Sequence, residues 1–346
     1  MGLAREYMAA IAFRLHSQGV EDVGEDDLVS ILANHLADTY EDSREARHAA
    51  RHFMAQVRDW GGLLEERDER FSFTFSGHRT LQEFLAGLHL VEGIEAGVRH
   101  RFLTKVVHEA VWHEPIRLAA GYLALGGSRR LRRFLNLLSD LRGDEARARG
   151  LALAAEALAE MTSEQREKKA RRQARQVSDG IVALLAQDPP HASVVARLHA
   201  ANGLGRLGDP RLDPTGADYW CPVAGGPFWM GTTGERAEEL VKEFKWKWFR
   251  DEVPRHQPQP ELSDFHIARY AVTNGEYARF LEAEREQGKV REPPKHWEGD
   301  TPPPDKLNHP VVYVSWHDAL AYCRWLTRQL QVSGSRSQVR HGEQLE

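Results

Sequence analysis

The composition of the chain changes at Ala217, and this change constrains the fold more than any other feature. Before it, alanine and leucine recur at helical spacing. After it, tryptophan, proline and glycine dominate, and seven of the nine tryptophans lie in this last third. A length of 346 residues suits two or three domains. We therefore expect an α+β multidomain protein with an α-rich part followed by a loop-rich mixed α/β domain.

Bulk properties narrow the possible functions. A formal net charge of −5 argues against nucleic acid as a partner. Two cysteines form no disulfide framework and fit a reducing compartment. The N-terminus has no signal-peptide pattern, and no apolar run is long enough to cross a bilayer. These features predict a cytoplasmic protein without a membrane partner.

Residues 1–92 are predicted to form a winged-helix-like unit of three helices, a hairpin and a fourth helix. The hairpin would lead from Leu63-Leu64 through the turn Arg67–Arg70 into a strand. Thr80 and Glu83 form a capping-box pattern for the fourth helix. The residues expected to face the core in these four helices and the strand are Met8, Ile11, Leu15; Leu28, Ile31, Leu32, Leu36; Ala46, Ala49, Phe53, Val57; Leu81, Phe84, Leu85, Leu88; and Phe71, Phe73, Phe75.

This unit resembles the segment that follows the nucleotide-binding core of NACHT-type signalling NTPases. The resemblance covers about residues 1–125 and includes the helix at 112–123. No G-x-x-x-x-G-K-[ST] phosphate loop occurs in the sequence. The resemblance therefore implies an NTPase domain upstream of this chain. The residues that carry it are Phe75, His78, Leu81, Gln82, Glu83 and Phe84.

Residues 93–212 are predicted to be an α-helical scaffold. Gly143 and Gly150 would flank a connector, and the turn Leu207–Arg211 resembles that of HEAT-like repeats. The basic block 166–175 could face an anionic partner, but a solvated helix face with Glu164 and Glu167 as partners is favoured. The expected apolar stripes are Ile94, Val98, Phe102, Val106 and Leu131, Phe134, Leu135, Leu138, Leu141.

Residues 217–328 are predicted to alternate short strands with two capped helices. Thr273 with Glu276, and Ser315 with Asp318, form capping-box patterns. The expected strands or extended segments are 220–223, 228–231, 252–258, 265–272 and 311–314.

Several motifs in this order resemble the formylglycine-generating enzyme and sulfatase-modifying factor family. The resemblance covers about residues 218–328 and implies a C-type-lectin-like fold and copper-dependent oxidation chemistry. The motifs are Phe228-Trp-Met-Gly231, Glu252-x-Pro-x-His256, Phe265-x-Ile-x-Arg-Tyr-x-Val-Thr-Asn274, Tyr277, Phe280, His309-Pro-Val-Val-x-Val-Ser-Trp316, Asp318-Ala319 and Ala321-Tyr-Cys-x-Trp325.

The sequence departs from this family after Trp325. Residues 329–346 are polar, lack periodicity and are expected to be a disordered tail. The calcium ligands and the copper-binding cysteine pair that the resemblance implies are missing, so the domain is expected to be truncated. Cys221 and Cys323 are expected to be small buried hydrophobes. We therefore assign no catalytic residue, no metal site and no cofactor, and the ligand-binding residues remain unknown.

Two histidine patterns offer an alternative. Ergothioneine-type sulfoxide synthases bind iron through a histidine-x3-histidine-x-glutamate motif, and this chain has His48 and His52 but Met54 at the glutamate position. His108 and His113 are five residues apart, which takes them off the shared helix face of a zinc-protease motif. Neither pattern is assigned as a metal site.

The tryptophans of the C-terminal third could form an aromatic ligand floor or simply fill a loop-rich core, and packing is favoured. Trp246, Trp248 and Trp297 are the surface candidates because charges and prolines surround them. Trp316 and Trp325 flank an amphipathic helix and are expected in the core.

The predicted function is a non-catalytic fragment of a bacterial-type signalling or regulatory protein. Its formylglycine-generating-enzyme-like domain would bind an unidentified small molecule or protein. The alternative is a truncated formylglycine-generating or non-haem iron sulfoxide synthase-type oxidoreductase. A third possibility is an inert gene remnant.

Overall fold

The computed structural model describes residues 2–20, 23–37, 40, 42–59, 65–67, 72–74, 79–216 and 218–332. These residues form two compact units and are mostly helical, with small sheets. The first unit extends to Gly208 and includes Pro304–Asn308. The second comprises Asp209–Pro303 and the described residues from His309 onward.

Helices dominate the first unit. Its elements are α1 (Gly2–Gln18), β1 (Val23–Gly24), α2 (Glu25–His35), α3 (Ser43–Asp59), β2 (Glu65–Arg67), β3 (Ser72–Thr74), α4 (Arg79–Glu92), α5 (Ala96–Val106), α6 (His113–Leu125), α7 (Ser128–Ser139), α8 (Asp144–Ala159), α9 (Ser163–Leu185) and α10 (Val194–Leu207).

The second unit mixes short strands with three helices among its described residues. Its elements are β4 (Trp220–Val223), β5 (Gly226–Met230), α11 (Gly234–Phe244), a 3₁₀ helix (Lys247–Arg255), β6 (Gln257–Leu262), β7 (Phe265–Ala268), α12 (Asn274–Glu286) and α13 (Trp316–Val332).

The predicted winged-helix arrangement is confirmed in its helices and in the pairing of its hairpin. Strands β2 and β3 pair antiparallel, and β1 adds to the other edge of β3. The sequence analysis missed β1 because a two-residue strand carries no periodicity. The turn residues 68–70 lie outside the described residues, as do Leu63, Leu64, Phe71, Phe75 and His78.

Most residues predicted for this core are buried together. Ile31, Ala49, Leu81 and Phe84 pack at its margin and are only partly buried. Helix α4 begins at Arg79, one residue before the predicted cap Thr80, and Arg79 Nε donates to Glu83 at 3.2 Å. The buried residues of this core include Met8, Ile11, Leu15, Leu28, Leu32, Leu36, Ala46, Phe53, Val57, Leu85 and Leu88.

The predicted helical scaffold is also present, and its second apolar stripe is buried from Leu131 to Leu141. The first stripe is wrong at Val98, which is 44% exposed because it lies on the outer face of α5. Gly150 flanks no connector; it lies inside α8, where only a hydrogen at Cα leaves room for the carbonyl of Leu138.

The basic block 166–175 is largely occupied by contacts within the protein. Lys168 pairs with Glu164 at 2.6 Å, and Arg171 with Glu167 at 3.1 Å. Arg166 Nη1 donates to the carbonyl of Met161 at 2.9 Å, near the end of α8. The predicted intrahelical partners are therefore confirmed.

The second unit contains two separate two-stranded antiparallel sheets, β4–β7 and β5–β6. Both predicted capping boxes are confirmed, at Thr273 with Glu276 and at Ser315 with Asp318. A small core lies between α12 and α13. Its buried members are Tyr277, Phe280, Leu281, Trp297, Tyr322 and Trp325.

Three extended segments predicted for this unit differ in the structure. Residues 252–255 end the 3₁₀ helix, in which Glu252 pairs with Arg255 three residues later. Strand β7 ends at Ala268 rather than at 272. Residues 311–314 form no strand because Tyr313 adopts a left-handed φ of 59°, which interrupts an extended backbone.

Helix α13 continues through residues 329–332, which the sequence placed in a disordered tail. The amphipathic pattern extends one turn further than predicted, and Leu330 is buried. The rest of that predicted tail lies outside the described residues. No helix in the described part of the chain has both the length and the apolar character needed to cross a membrane.

Candidate functional site

The second unit exposes a cluster of four aromatic rings, which we call the aromatic platform: Phe244, Trp246, Trp248 and Phe249. Trp246 and Trp248 stack with ring centroids 5.9 Å apart, and Trp248 stacks on Phe249 at 4.2 Å. Phe249 also lies 6.0 Å from Phe244 and 6.2 Å from Trp246. Its ring is the shared base of the cluster, and the other three rings face solvent with 47–55% of their surface exposed.

The platform forms where α11 turns into the 3₁₀ helix. Lys245 closes α11 with a left-handed φ of 63°, and its N–H donates to the carbonyl of Val241. Arg250 then donates two hydrogen bonds to Glu238, at 2.6 and 3.0 Å. This bidentate pair lowers the pKa of Glu238 and fixes the 3₁₀ helix against α11.

Gly231 allows the loop after β5 to approach the end of the same 3₁₀ helix. Its φ is 78°, and a Cβ there would lie 2.5 Å from the carbonyl oxygen of Glu252. Only glycine combines that backbone conformation with that space. The last residue of the motif Phe228–Gly231 therefore helps to position the segment that carries the platform.

The charges around the platform are uneven. Lys242, Lys245 and Lys247 are exposed and make no ion pair within the described part of the chain. The arginines of this region are instead neutralised, Arg236 by Glu239 and Arg250 by Glu238. The free positive charges beside the rings are therefore ammonium groups.

A buried polar network holds α12, the helix at the centre of this unit. Glu276 is 2% exposed and accepts hydrogen bonds from Tyr219 Oη at 2.8 Å and from Thr273 N at 2.9 Å. Burial, together with that hydrogen bond, raises the pKa of Tyr219. Asn274 Oδ1 accepts from Trp297 Nε1 at 2.9 Å. This network satisfies polar groups buried inside the unit.

Glu284 makes the stability of this unit depend on pH. Its buried carboxylate accepts from Lys289 Nζ at 2.9 Å and Arg291 Nε at 3.1 Å, which lowers its pKa. A lowered folded-state pKa gives stability above the unfolded value of about 4.3 and loses it as pH falls through the folded value. We expect Glu284→Gln to cost roughly 1–3 kcal/mol at neutral pH.

Thermal unfolding of both proteins across pH checks this prediction. The difference in Tm between wild type and Glu284→Gln should shrink below about pH 4. Glu282→Gln, an exposed carboxylate on the same helix, should give a small difference that does not change with pH. A Glu284→Gln deficit that persists unchanged into acid would contradict the assignment.

The thiols do not fit the copper chemistry that the sequence resemblance implies. Such a site needs two neighbouring thiolates. Cys221 lies half-buried in β4, and Cys323 lies exposed on α13; no disulfide joins them. The prediction that both are buried is thus wrong: Cys221 is only half-buried, and Cys323 sits on the solvent face of its helix. Among the described residues, no group of three or more His, Cys, Asp or Glu could hold a metal.

The histidine patterns do not form an iron site either. His48 and His52 are both exposed on α3, whereas Met54 is fully buried on the other side of that helix. A third ligand at that position would face the core. His108 precedes α6, and His113 begins it and hydrogen-bonds the carbonyl of Val107.

The sequence found part of the platform. Trp246 and Trp248 are exposed as predicted, and Trp325 is buried as predicted. Trp297 is 7% exposed because its indole N–H bonds to Asn274, so its surface assignment is wrong. Trp316 is 70% exposed, so its core assignment is wrong. The run Phe-Lys-Trp-Lys-Trp-Phe over 244–249 was the available signal for the whole cluster.

Comparison with known proteins agrees with both resemblances. Residues 212–335 match the family model of the sulfatase-modifying factor enzyme 1-like domain. Residues 3–90 match that of the winged helix-turn-helix domain C-terminal to NACHT. Both domains are present in this chain. The sulfatase-modifying factor enzyme 1-like domain carries the aromatic platform, and the winged helix-turn-helix domain contains α1 to α3 and the small sheet.

Two relatives match over part of their length. YfmG of Bacillus subtilis is 31% identical over 139 residues, covering 38% of this chain and 27% of YfmG. The formylglycine-generating enzyme of Thermomonospora curvata is 32% identical over 104 residues, covering 20% of this chain and 34% of that enzyme. The chain thus spans about a third or less of each relative.

Proposed function

We propose that this chain is a non-catalytic regulatory protein whose sulfatase-modifying factor enzyme 1-like domain binds a ligand or protein through the aromatic platform. The observation that carries the proposal is a cluster of three half-exposed rings on a common base in one short segment. Exposed aromatic clusters of this kind are typical of recognition surfaces, because leaving them in water is unfavourable.

The winged helix-turn-helix domain supports the regulatory part of the proposal. Its family is described by its position C-terminal to NACHT. In the proposed arrangement, the helical unit belongs to a signalling protein of NACHT type, and the second domain supplies recognition. The protein would act in the cytoplasm, with neither nucleic acid nor a membrane as its partner.

Oxidation of a substrate thiol is the alternative, which the T. curvata relative's name suggests. The separate locations of Cys221 and Cys323 favour binding over that chemistry. Incubating the purified chain with copper, oxygen and a cysteine-containing peptide tests this choice. We expect the peptide thiol to remain unchanged, and oxygen-dependent loss of that thiol would overturn the proposal.

Binding at the platform can be tested with the anionic aromatic probe 1-anilinonaphthalene-8-sulfonate. We expect the double variant Trp246→Ala/Trp248→Ala to bind the probe at least about tenfold more weakly than wild type. Trp316→Ala removes another highly exposed tryptophan and should bind like wild type. Equal binding by all three proteins, with unchanged circular dichroism, would contradict a role for the platform.

A further inference from the structure

We propose that the aromatic platform is occupied by an acidic protein segment that carries aromatic or aliphatic side chains. This inference rests on the binding role proposed above and names the class of its partner. Two properties of the platform argue for it, the apolar surface of the rings and the sign of the free charges beside them.

The exposed apolar surface of the rings favours a partner with hydrophobic side chains. Trp246 and Trp248 expose 55% and 52% of their surface, and Phe244 exposes 47%. Trp248 stacks on the base ring Phe249, and Arg250 links the same 3₁₀ helix to Glu238 of α11, so the rings already lie together before a partner covers them. Ordered tryptophans of this kind are the residues that contribute most at protein interfaces.

The positive charges beside the rings favour a partner that carries carboxylates. The segment 242–250 has three lysines, and Glu243 is its single acidic residue. Arg250 is already neutralised by Glu238, and its pKa is raised by that pair. The lysines therefore form a local positive patch on a chain whose formal net charge is −5. A carboxylate that approaches the rings would meet Lys245 and Lys247, which make no ion pair with a described residue, whereas Lys242 already interacts with the carboxylate of Glu238.

The same features favour a protein segment over a nucleic acid. Continuous phosphate backbones are held by many cations, arginine above all. Here the arginines beside the platform are paired, and two acids flank the rings, Glu243 before Phe244 and Asp251 directly after Arg250. A peptide can space its carboxylates around these two acids, whereas a phosphate backbone carries charge at every nucleotide.

Fluorescence anisotropy with labelled probes tests the proposal. The probe is a dodecapeptide that repeats Asp-Phe-Glu-Leu, compared with a version in which lysine replaces both acids, a version in which serine replaces both apolar residues, and oligo(dT). We expect only the first to bind measurably. Lys242→Glu/Lys247→Glu should weaken it at least about tenfold, and Lys295→Glu, an exposed lysine elsewhere in the unit, should change it less than about twofold.

Three results would overturn the inference. The lysine peptide or oligo(dT) could bind more tightly than the acidic peptide, or the affinity for the acidic peptide could be unchanged in the Lys242→Glu/Lys247→Glu variant. If the anilinonaphthalene probe binds in a Trp246- and Trp248-dependent manner while the acidic peptide does not bind, the partner class is wrong and the platform still binds. If neither probe depends on the tryptophans, the proposed function fails as well.

Discussion

Glu276→Ala is expected to destabilise the second unit by about 3–5 kcal/mol, the largest effect predicted for this protein. The carboxylate is 2% exposed and accepts from Tyr219 Oη, Thr273 N and Thr273 Oγ1 at 2.8–2.9 Å. Alanine would leave all three donors without an acceptor and would remove half of the capping box that starts α12.

Urea unfolding followed by tryptophan fluorescence measures this effect. Seven of the nine tryptophans lie after residue 217, so the signal reports mainly on the second unit. Glu282→Ala changes an exposed glutamate on the same helix and should stay within about 0.5 kcal/mol of wild type. Tyr219→Phe removes one donor and should cost about 1–2 kcal/mol. A Glu276→Ala transition that coincides with that of Glu282→Ala would disprove the network.

Gly150→Ala is expected to destabilise the first unit by about 3 kcal/mol, at the upper end of what overpacking costs. A Cβ at Gly150 would collide with the carbonyl oxygen of Leu138, at the end of α7, and a backbone atom cannot rotate aside. Helices α7 and α8 would have to separate, which would loosen the buried Leu138 and Leu151.

Gly121→Ala provides the matched control. Gly121 lies inside α6 with no atom within 4 Å of its added Cβ. Alanine there should stabilise the unit by about 0.5–1 kcal/mol through helix propensity. Circular dichroism at the helical band follows the unfolding of both variants, because most helical residues belong to the first unit. Equal shifts of the two unfolding transitions in the same direction would show that the space at Gly150 does not limit stability.

Two local signals, the capping boxes of the second unit, were read correctly because one short segment contains all the information. The capping boxes at Thr273 and Ser315 place their own partners three residues away, and both were predicted to the residue. The amphipathic helices of the first unit were found for the same reason, since period and burial are both encoded within a few turns.

The sequence-based predictions were wrong where contacts with residues distant in sequence determine burial or backbone conformation. Trp297 lies among prolines and charges in sequence, yet its indole N–H donates a hydrogen bond to Asn274 of α12 and the ring is buried. Gly150 looks like a helix breaker, yet it is the point where α8 contacts α7. The segment 252–255 appears extended in sequence, yet it ends a 3₁₀ helix that Arg250 links to Glu238 of α11.

The sequence by itself determined the helical first part, the mixed second part and the families of their two domains, because composition, periodicity and short motifs are local properties of the chain. Only the tertiary structure decided which tryptophans are exposed and that four rings form one surface beside three exposed lysines. Exposure and charge pairing depend on which elements pack together, and in this region the contacts include the Arg250–Glu238 pair and the stacking of Trp248 on Phe249.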